Sequence, residues 1–257
     1  MHPSIRTWTS KWVATCLVVA FTQTATARIT QNRASPSETW GTGLPLVIGG
    51  GFEYEGNNDQ GLYDFPLLLE YSVSERLKFN VEPTVSYLES RSEDVRSVAG
   101  LGDLETSVQW EFISERRYRP AVTAEGLVKW PTASHTDLGT RGHDYRAGLL
   151  FSKDLAFIDL DLDFNYTWVA DPGEQDLLEI ALSSEYPVIN HLVSVIAEVV
   201  HTVGTGASLG TTHQTEGTLG LAWQVNRFLK LEFGYSLKND LRGQFVTAWE
   251  WNFEGDD

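Results

Sequence analysis

Three aspartates spaced two residues apart, Asp159, Asp161 and Asp163, place a row of carboxylates along one stretch of this sequence. Carboxylate oxygens suit a hard cation, which takes several oxygen ligands. On a strand, however, residues two apart lie about 6.6 Å from one another, too wide for three to close on one ion. A row of charge along one face describes them better. Imidazoles also ligate metals, and His135, His143, His191, His201 and His213 are candidates. No pair of them stands at ligand spacing on one element, and exposed loop histidines are the alternative. A hydrolytic site would need a serine, a histidine and an acid brought together. Ser134 precedes His135 with no evident acid partner, and Ser194 and Glu198 share a face about 13 Å apart along a strand. There is no Gly-x-Ser-x-Gly elbow and no phosphate-cradling loop. No catalytic residue, metal or cofactor is therefore assigned.

The three aspartates belong to the stretch Phe157–Trp168. Ile158, Leu160, Leu162, Phe164, Tyr166 and Trp168 fall on one face, and Asp159, Asp161, Asp163, Asn165 and Thr167 on the other. Strand side chains alternate with period two, so this is a β-strand with one apolar and one polar face. Its length suits a tilted strand crossing a bilayer, which needs about 9–11 residues. The same design recurs in about twelve segments from Leu44 onward: near 44–55, 62–73, 77–89, 103–113, 120–130, 143–151, 157–168, 176–187, 192–201, 215–225, 228–238 and up to Phe253. Pro83 interrupts the third, where a bulge is expected because a central strand needs that N–H. Residues 90–100 are expected to be a loop.

Short connections (Ser74-Glu75-Arg76, Ser114-Glu115-Arg116-Arg117, Ser152-Lys153-Asp154, Asn226-Arg227) alternate with longer ones near 90–100, 131–142 and 202–213. Outer-membrane barrels have short periplasmic turns, long external loops and an even strand number. Aromatics sort by strand parity. Tyr54, Tyr87, Trp130, Trp168 and Tyr235 mark the outer ends of odd strands, and Tyr71, Trp110, Tyr186, Trp223 and Trp251 the inner ends of even ones. Two interfacial girdles follow.

The fold class expected is all-β, a transmembrane antiparallel up-and-down β-barrel of about 12 strands. A net charge of −16 over 257 residues argues against nucleic acid, which needs a basic footprint. Mean hydropathy of −0.21 is what an alternating barrel averages to. Residues 1–27 resemble a secretory leader: basic Arg6 and Lys11, apolar Val13 to Phe21, and the small-x-small site Ala25-Thr26-Ala27. The one cysteine, Cys16, lies inside it, leaving no disulfide framework downstream. A polar periplasmic linker over 28–43 and the barrel over 44–257 complete the expected organisation.

With the apolar face toward lipid, the polar face lines the lumen. Its acidic candidates are Glu53, Glu70, Glu82, Glu105, Glu111, Glu125, Asp159, Asp161, Asp163, Glu179, Glu198, Glu232 and Glu250. The basic ones are Lys78, Lys129, Arg146 and Lys230. An acid-lined pore favours cations. A solvated polar wall with scattered ion pairs is the plainer alternative.

Three short motifs occur in order: Gly100-Leu101-Gly102-Asp103-Leu104, Val128-Lys129-Trp130-Pro131-Thr132, and Gly139-Thr140-Arg141-Gly142-His143-Asp144-Tyr145. Through them the chain resembles an outer-membrane transporter family associated with a meta-cleavage pathway of phenol degradation. The resemblance implies an outer-membrane β-barrel passing small, often aromatic, molecules. Ala133 stands where that family has Gly, Arg141 interrupts the Gly-rich piece, and Glu254-Gly255-Asp256-Asp257 follow the terminal aromatic Phe253.

The expected function is an outer-membrane channel or transporter for small solutes, with a lumen narrowed by side chains at this strand number. Its partners would be outer-membrane lipid, a small-molecule solute, and the barrel-assembly machinery engaging the C-terminal strand. The alternatives are a non-conducting structural or partner-anchoring barrel, a lipid-modifying barrel enzyme, and a soluble periplasmic barrel.

Overall fold

The computed structural model describes residues 46–56, 60–90, 96–171, 174–189, 192–205, 213–239 and 243–253. The expected leader over 1–27, the linker over 28–43, His191 and the residues after Phe253 lie outside these. The strands are β1 (Leu46–Gly56), β2 (Gln60–Ser74), β3 (Leu77–Glu82), β4 (Thr84–Ser90), β5 (Val98–Leu101), β6 (Leu104–Ile113), β7 (Ala121–Trp130), β8 (Asp144–Asp154), β9 (Asp159–Trp168), β10 (Asp176–Ile189), β11 (Val193–Thr205), β12 (His213–Gln224), β13 (Leu229–Lys238) and β14 (Gly243–Phe253).

All pairings are antiparallel, and β1 bonds both β2 and β14, so the sheet closes on itself. β3 and β4 are two halves of one span, as are β5 and β6, giving a closed barrel of 12 spans. Following the pairings once around returns to β1 roughly 14 residues displaced, a stagger that tilts the strands by about 40°.

The two broken spans lie side by side. The register against β2 runs straight through Pro83: Leu68 faces Glu82, Pro66 pairs with Thr84, and Leu67 N still donates to Pro83 O (3.0 Å). The extra residue sits instead across the wall. β3 pairs with β6, and β4 with β5, in registers offset by one residue, which places the bulge at Gly102-Asp103. This corrects the expected bulge at Pro83. It also corrects the expected loop over 90–100, because Val98–Leu101 is in the sheet. That strand is too short for its period to register. A further correction concerns the expected tight turn at 114–117. The connection runs from 114 to 120 and carries a small bridge between Arg116 and Arg119.

Burial is inverted relative to a soluble protein. Leu219, Leu221, Phe233, Tyr235 and Trp249 are exposed, whereas Glu70, Lys78, Gln109, Asp163, Asn165 and Glu232 are buried. Apolar surface outside and polar side chains inside fit a solvent that is itself hydrocarbon. Both aromatic sets lie on the outer face, with Tyr54 half-covered by Tyr63 (ring centroids 4.8 Å). Gly50 sits opposite Trp249, whose indole lies within 3.0 Å of where a Cβ would stand. The absent side chain lets the ring lie flat against the wall. Small apolar residues Ile196, Ala222 and Val246 form a buried cluster on the inner side.

Leu221, paired with Phe233 on the outer face, tests the inversion. Leu221→Arg should cost about 2–4 kcal/mol when unfolding is followed in lipid vesicles. A cost within experimental error of zero would mean this face does not meet hydrocarbon.

Candidate functional site

The interior is built by period two alone. Glu82 on β3, Glu105 and Glu111 on β6, Glu125 and Lys129 on β7, Arg146 on β8, Asp159, Asp161 and Asp163 on β9, Glu198 on β11, and Lys230 and Glu232 on β13 all fall on the inward face of their strands. The same holds for Glu53, Glu70, Lys78, Glu179 and Glu250.

Arg146 is the electrostatic centre. Its guanidinium lies 3.5 Å from Glu125 Oε2, and Glu105, Glu179 and Glu82 are also within electrostatic reach. Gln109 Nε2 donates to Glu125 Oε1 (3.0 Å). The register runs Glu125, Gly148, Asn165, Glu179 across four strands. Gly148 has no side chain, and the Asn165 carboxamide occupies that space and donates to Glu179 Oε1 (3.3 Å). Other bases are paired as well: Lys78 with Glu70 (3.1 Å), Lys129 with Asp144 (3.4 Å), Lys230 with Glu232 (2.9 Å) and Glu185 (3.3 Å), and Lys238 with Glu55. Five cations thus sit among a larger set of carboxylates.

The aspartate row is not uniform. Asp161 lies between Ser152 and Ser183 and accepts from both hydroxyls, the latter at 3.5 Å. Asp163 lies between Leu150 and Ala181, only 3 % exposed, with Oδ1 unpartnered. Asp161, Glu125, Glu198 and Glu179 surround it electrostatically. Among the described residues no three His, Cys, Asp or Glu side chains converge as metal ligands. His201 and His213 stack at 6.0 Å on the outer face, and His201 Nδ1 is hydrogen-bonded to Thr215 Oγ1. The Ser134 hydroxyl donates to Leu101 O.

The loop end carries a feature that the sequence did not disclose. Asp103, in the bulge, accepts from Ala133 N (3.0 Å), Thr140 N (2.6 Å) and Thr140 Oγ1 (2.9 Å). Ser134 N bonds Leu101 O and Thr132 Oγ1 accepts from Leu104 N. Segment 131–140 is thereby held against the inner side of Gly102, whose vacant Cβ position faces Leu138 O and Ser86 Oγ. All three motifs quoted above converge on this clasp. Neighbouring carboxylates repeat the device: Asp144 accepts from Ala170 N, Asp171 from Arg141 N, and Asp176 from Val169 N and Tyr166 OH. Asp176, Glu185, Glu55 and Lys238 were not singled out from sequence, although strand parity places the last three on the inner face.

Neither a family model nor a curated protein matches the chain. Solved structures do. The COG4313 outer membrane channel from Pseudomonas putida F1 superimposes with a TM-score of 0.68 at 12 % identity, covering 88 % of this chain and 100 % of that one. The NanC porin gives 0.61 at 10 %, covering 81 % and 100 %. The KdgM porin, in complex with disordered oligogalacturonate, gives 0.57 at 9 %, covering 80 % and 99 %. The chain has the fold of an outer-membrane barrel. At these identities the likeness is one of architecture, and the phenol-pathway association gains nothing from it.

Two outcomes follow from this geometry. Lys78 and Glu70 are 2 % and 1 % exposed, so Lys78→Met removes the ammonium bonded to a buried carboxylate and should cost about 3 kcal/mol in unfolding. Adding Glu70→Leu should restore most of that, and failure to do so would show that the pair is not coupled. Asp103→Ala removes charge-assisted bonds worth about 1.4 kcal/mol or more. Trypsin should then cut the folded barrel after Arg141 about tenfold faster. An unchanged rate would mean that Asp103 does not hold the loop.

Proposed function

We propose that this chain is an outer-membrane channel passing small polar solutes through a narrow, acid-lined interior that favours cations. The observation that carries the reading is the inner wall itself. Carboxylates outnumber the cations that face them, and a wall of one sign raises the local concentration of the opposite one. The channels and porins that share the fold support the reading as architecture. On this view the leader over 1–27 exports the chain, the short-turn end faces the periplasm, and the Asp103-held loop edges the external mouth.

Solute selection would rest on charge. Among the described strand residues no inward-facing side chain is aromatic, so a small aromatic solute would find no ring to stack on. A polyanion such as the oligogalacturonate bound by the KdgM porin would be repelled by these walls. Low exposure of the interior side chains favours a second reading, a non-conducting structural barrel. Gln109 and Asn165 are each 2 % exposed, which leaves little free cross-section beside them.

Single-channel current from the folded protein, in a planar bilayer under a salt gradient, separates the two. Small discrete steps with cation preference are expected. Asp161→Lys should weaken that preference, and Arg146→Gln should strengthen it. Silence from protein shown to be folded would leave the non-conducting barrel.

A further inference from the structure

The turn end of the barrel carries a cationic cluster that the interior chemistry does not use. The connection from β6 to β7 is a small hairpin whose tip reads Arg116-Arg117-Tyr118-Arg119, closed by paired backbone bonds between Arg116 and Arg119. All four residues are exposed. Arg119 folds its guanidinium back to Ser114 O (3.1 Å), which stiffens the base. Arg76, in the neighbouring turn, is joined to the same region by Glu111 N donating to Arg76 O (2.8 Å). Among the described residues no carboxylate forms an ion pair with any of these four arginines. The nearby Glu115 is engaged by Lys153 and Asp154 N. Unlike the interior cations, this cluster has no neutralising partner among the described residues.

Tyr118 is 84 % exposed, and Arg117 lies 5.0 Å over its ring. A ring held so far from the wall gains nothing from the barrel, but it suits the boundary between acyl chains and headgroups, where amphipathic rings collect. Directly along the wall from the hairpin, the outer face carries Trp110 and Phe112 in ring contact (5.8 Å), with Phe79 and Tyr71 on the adjoining strands. An aromatic wall therefore leads straight into an arginine cluster.

We propose that this hairpin is a binding site for an anionic phospholipid of the periplasmic leaflet, its acyl chains along Trp110 and Phe112 and its phosphate on Arg116, Arg117 and Arg119. Guanidinium forks match phosphate oxygens in pairs, which ammonium groups do not. Unpaired charge of this density attracts anionic lipid at about 1 kcal/mol per basic residue near the surface. The site requires only that the barrel sit in a membrane with its turn end at that leaflet, and it is independent of conduction.

The test is native mass spectrometry of the folded, detergent-solubilised full chain titrated with phosphatidylglycerol, phosphatidylethanolamine or inorganic phosphate. The wild-type protein should retain phosphatidylglycerol at concentrations at least fivefold below those needed for phosphatidylethanolamine. R116Q/R117Q/R119Q should erase that preference, while Arg227→Gln, on the β12–β13 turn, should keep it. Should the triple variant fail to fold, R117Q and R119Q alone should each give a partial loss, and R116K/R117K/R119K a weaker but persistent preference. Equal retention of the two lipids by wild type, or a full preference in the glutamine variants, would overturn the site. Displacement of the lipid by millimolar inorganic phosphate would also overturn it, in favour of a free-anion site.

Discussion

Every peptide N–H and C=O at membrane depth must find a partner within the chain, because hydrocarbon offers none. The pairing of β1 with β14, from Leu46 against Phe253 to Glu55 against Gln244, meets that constraint. Without it two strand edges would face lipid. With it, each remaining residue has only two directions to point, and the chemistry of the protein reduces to which parity each side chain occupies. Carboxylates gather inside because they hold alternate positions between the leucines and aromatics that the bilayer claims. The seam is reinforced from within by Lys238 bridging to Glu55 and by Gln244 donating to Glu53 (3.0 Å).

Inside the barrel, charge is arranged in neighbourhoods. Arg146 gathers Glu125, Glu105, Glu179 and Glu82, while Asp161 rests between two serines and Asp163 between Leu150 and Ala181. Two carboxylates separated by one residue thus meet different surroundings. Gly148 shows how finely this is set, since its missing side chain is what lets Asn165 reach Glu179. Lys78, Lys129 and Arg146 tie adjoining strands together, and Lys230 and Lys238 reach carboxylates on strands farther round the wall, while the wall stays acidic in sum.

The period-two pattern makes the fold legible in the sequence and sorts polar from aromatic side chains onto the two faces of each strand. What escaped it shares one cause: information carried by register and by distant loops. Val98–Leu101 has too few side chains to display a period. The bulge at Gly102-Asp103 is defined by the strand across from it, while Pro83, the visible irregularity, leaves its own register intact. Asp103 resembled any other polar-face residue, because its partners Ala133 and Thr140 stand 30 and 37 positions away. Strand parity puts Lys129 and Arg146 on the inward face, but only the register identifies Asp144 and Glu125 as their counter-ions.

The adjacent breaks at Pro83 and Gly102-Asp103 form a crease across the wall. Beyond it, β4 and β5 join the rest of the barrel through β2 on one side and the single strap 131–140 on the other. Among the described residues, the pairings nearer the turns, β2 with β3 and β3 with β6, do not include that flap. The wall is therefore built as a closed ring carrying a separate visor, an arrangement in which changes of loop length at the mouth place little demand on the pairings beneath.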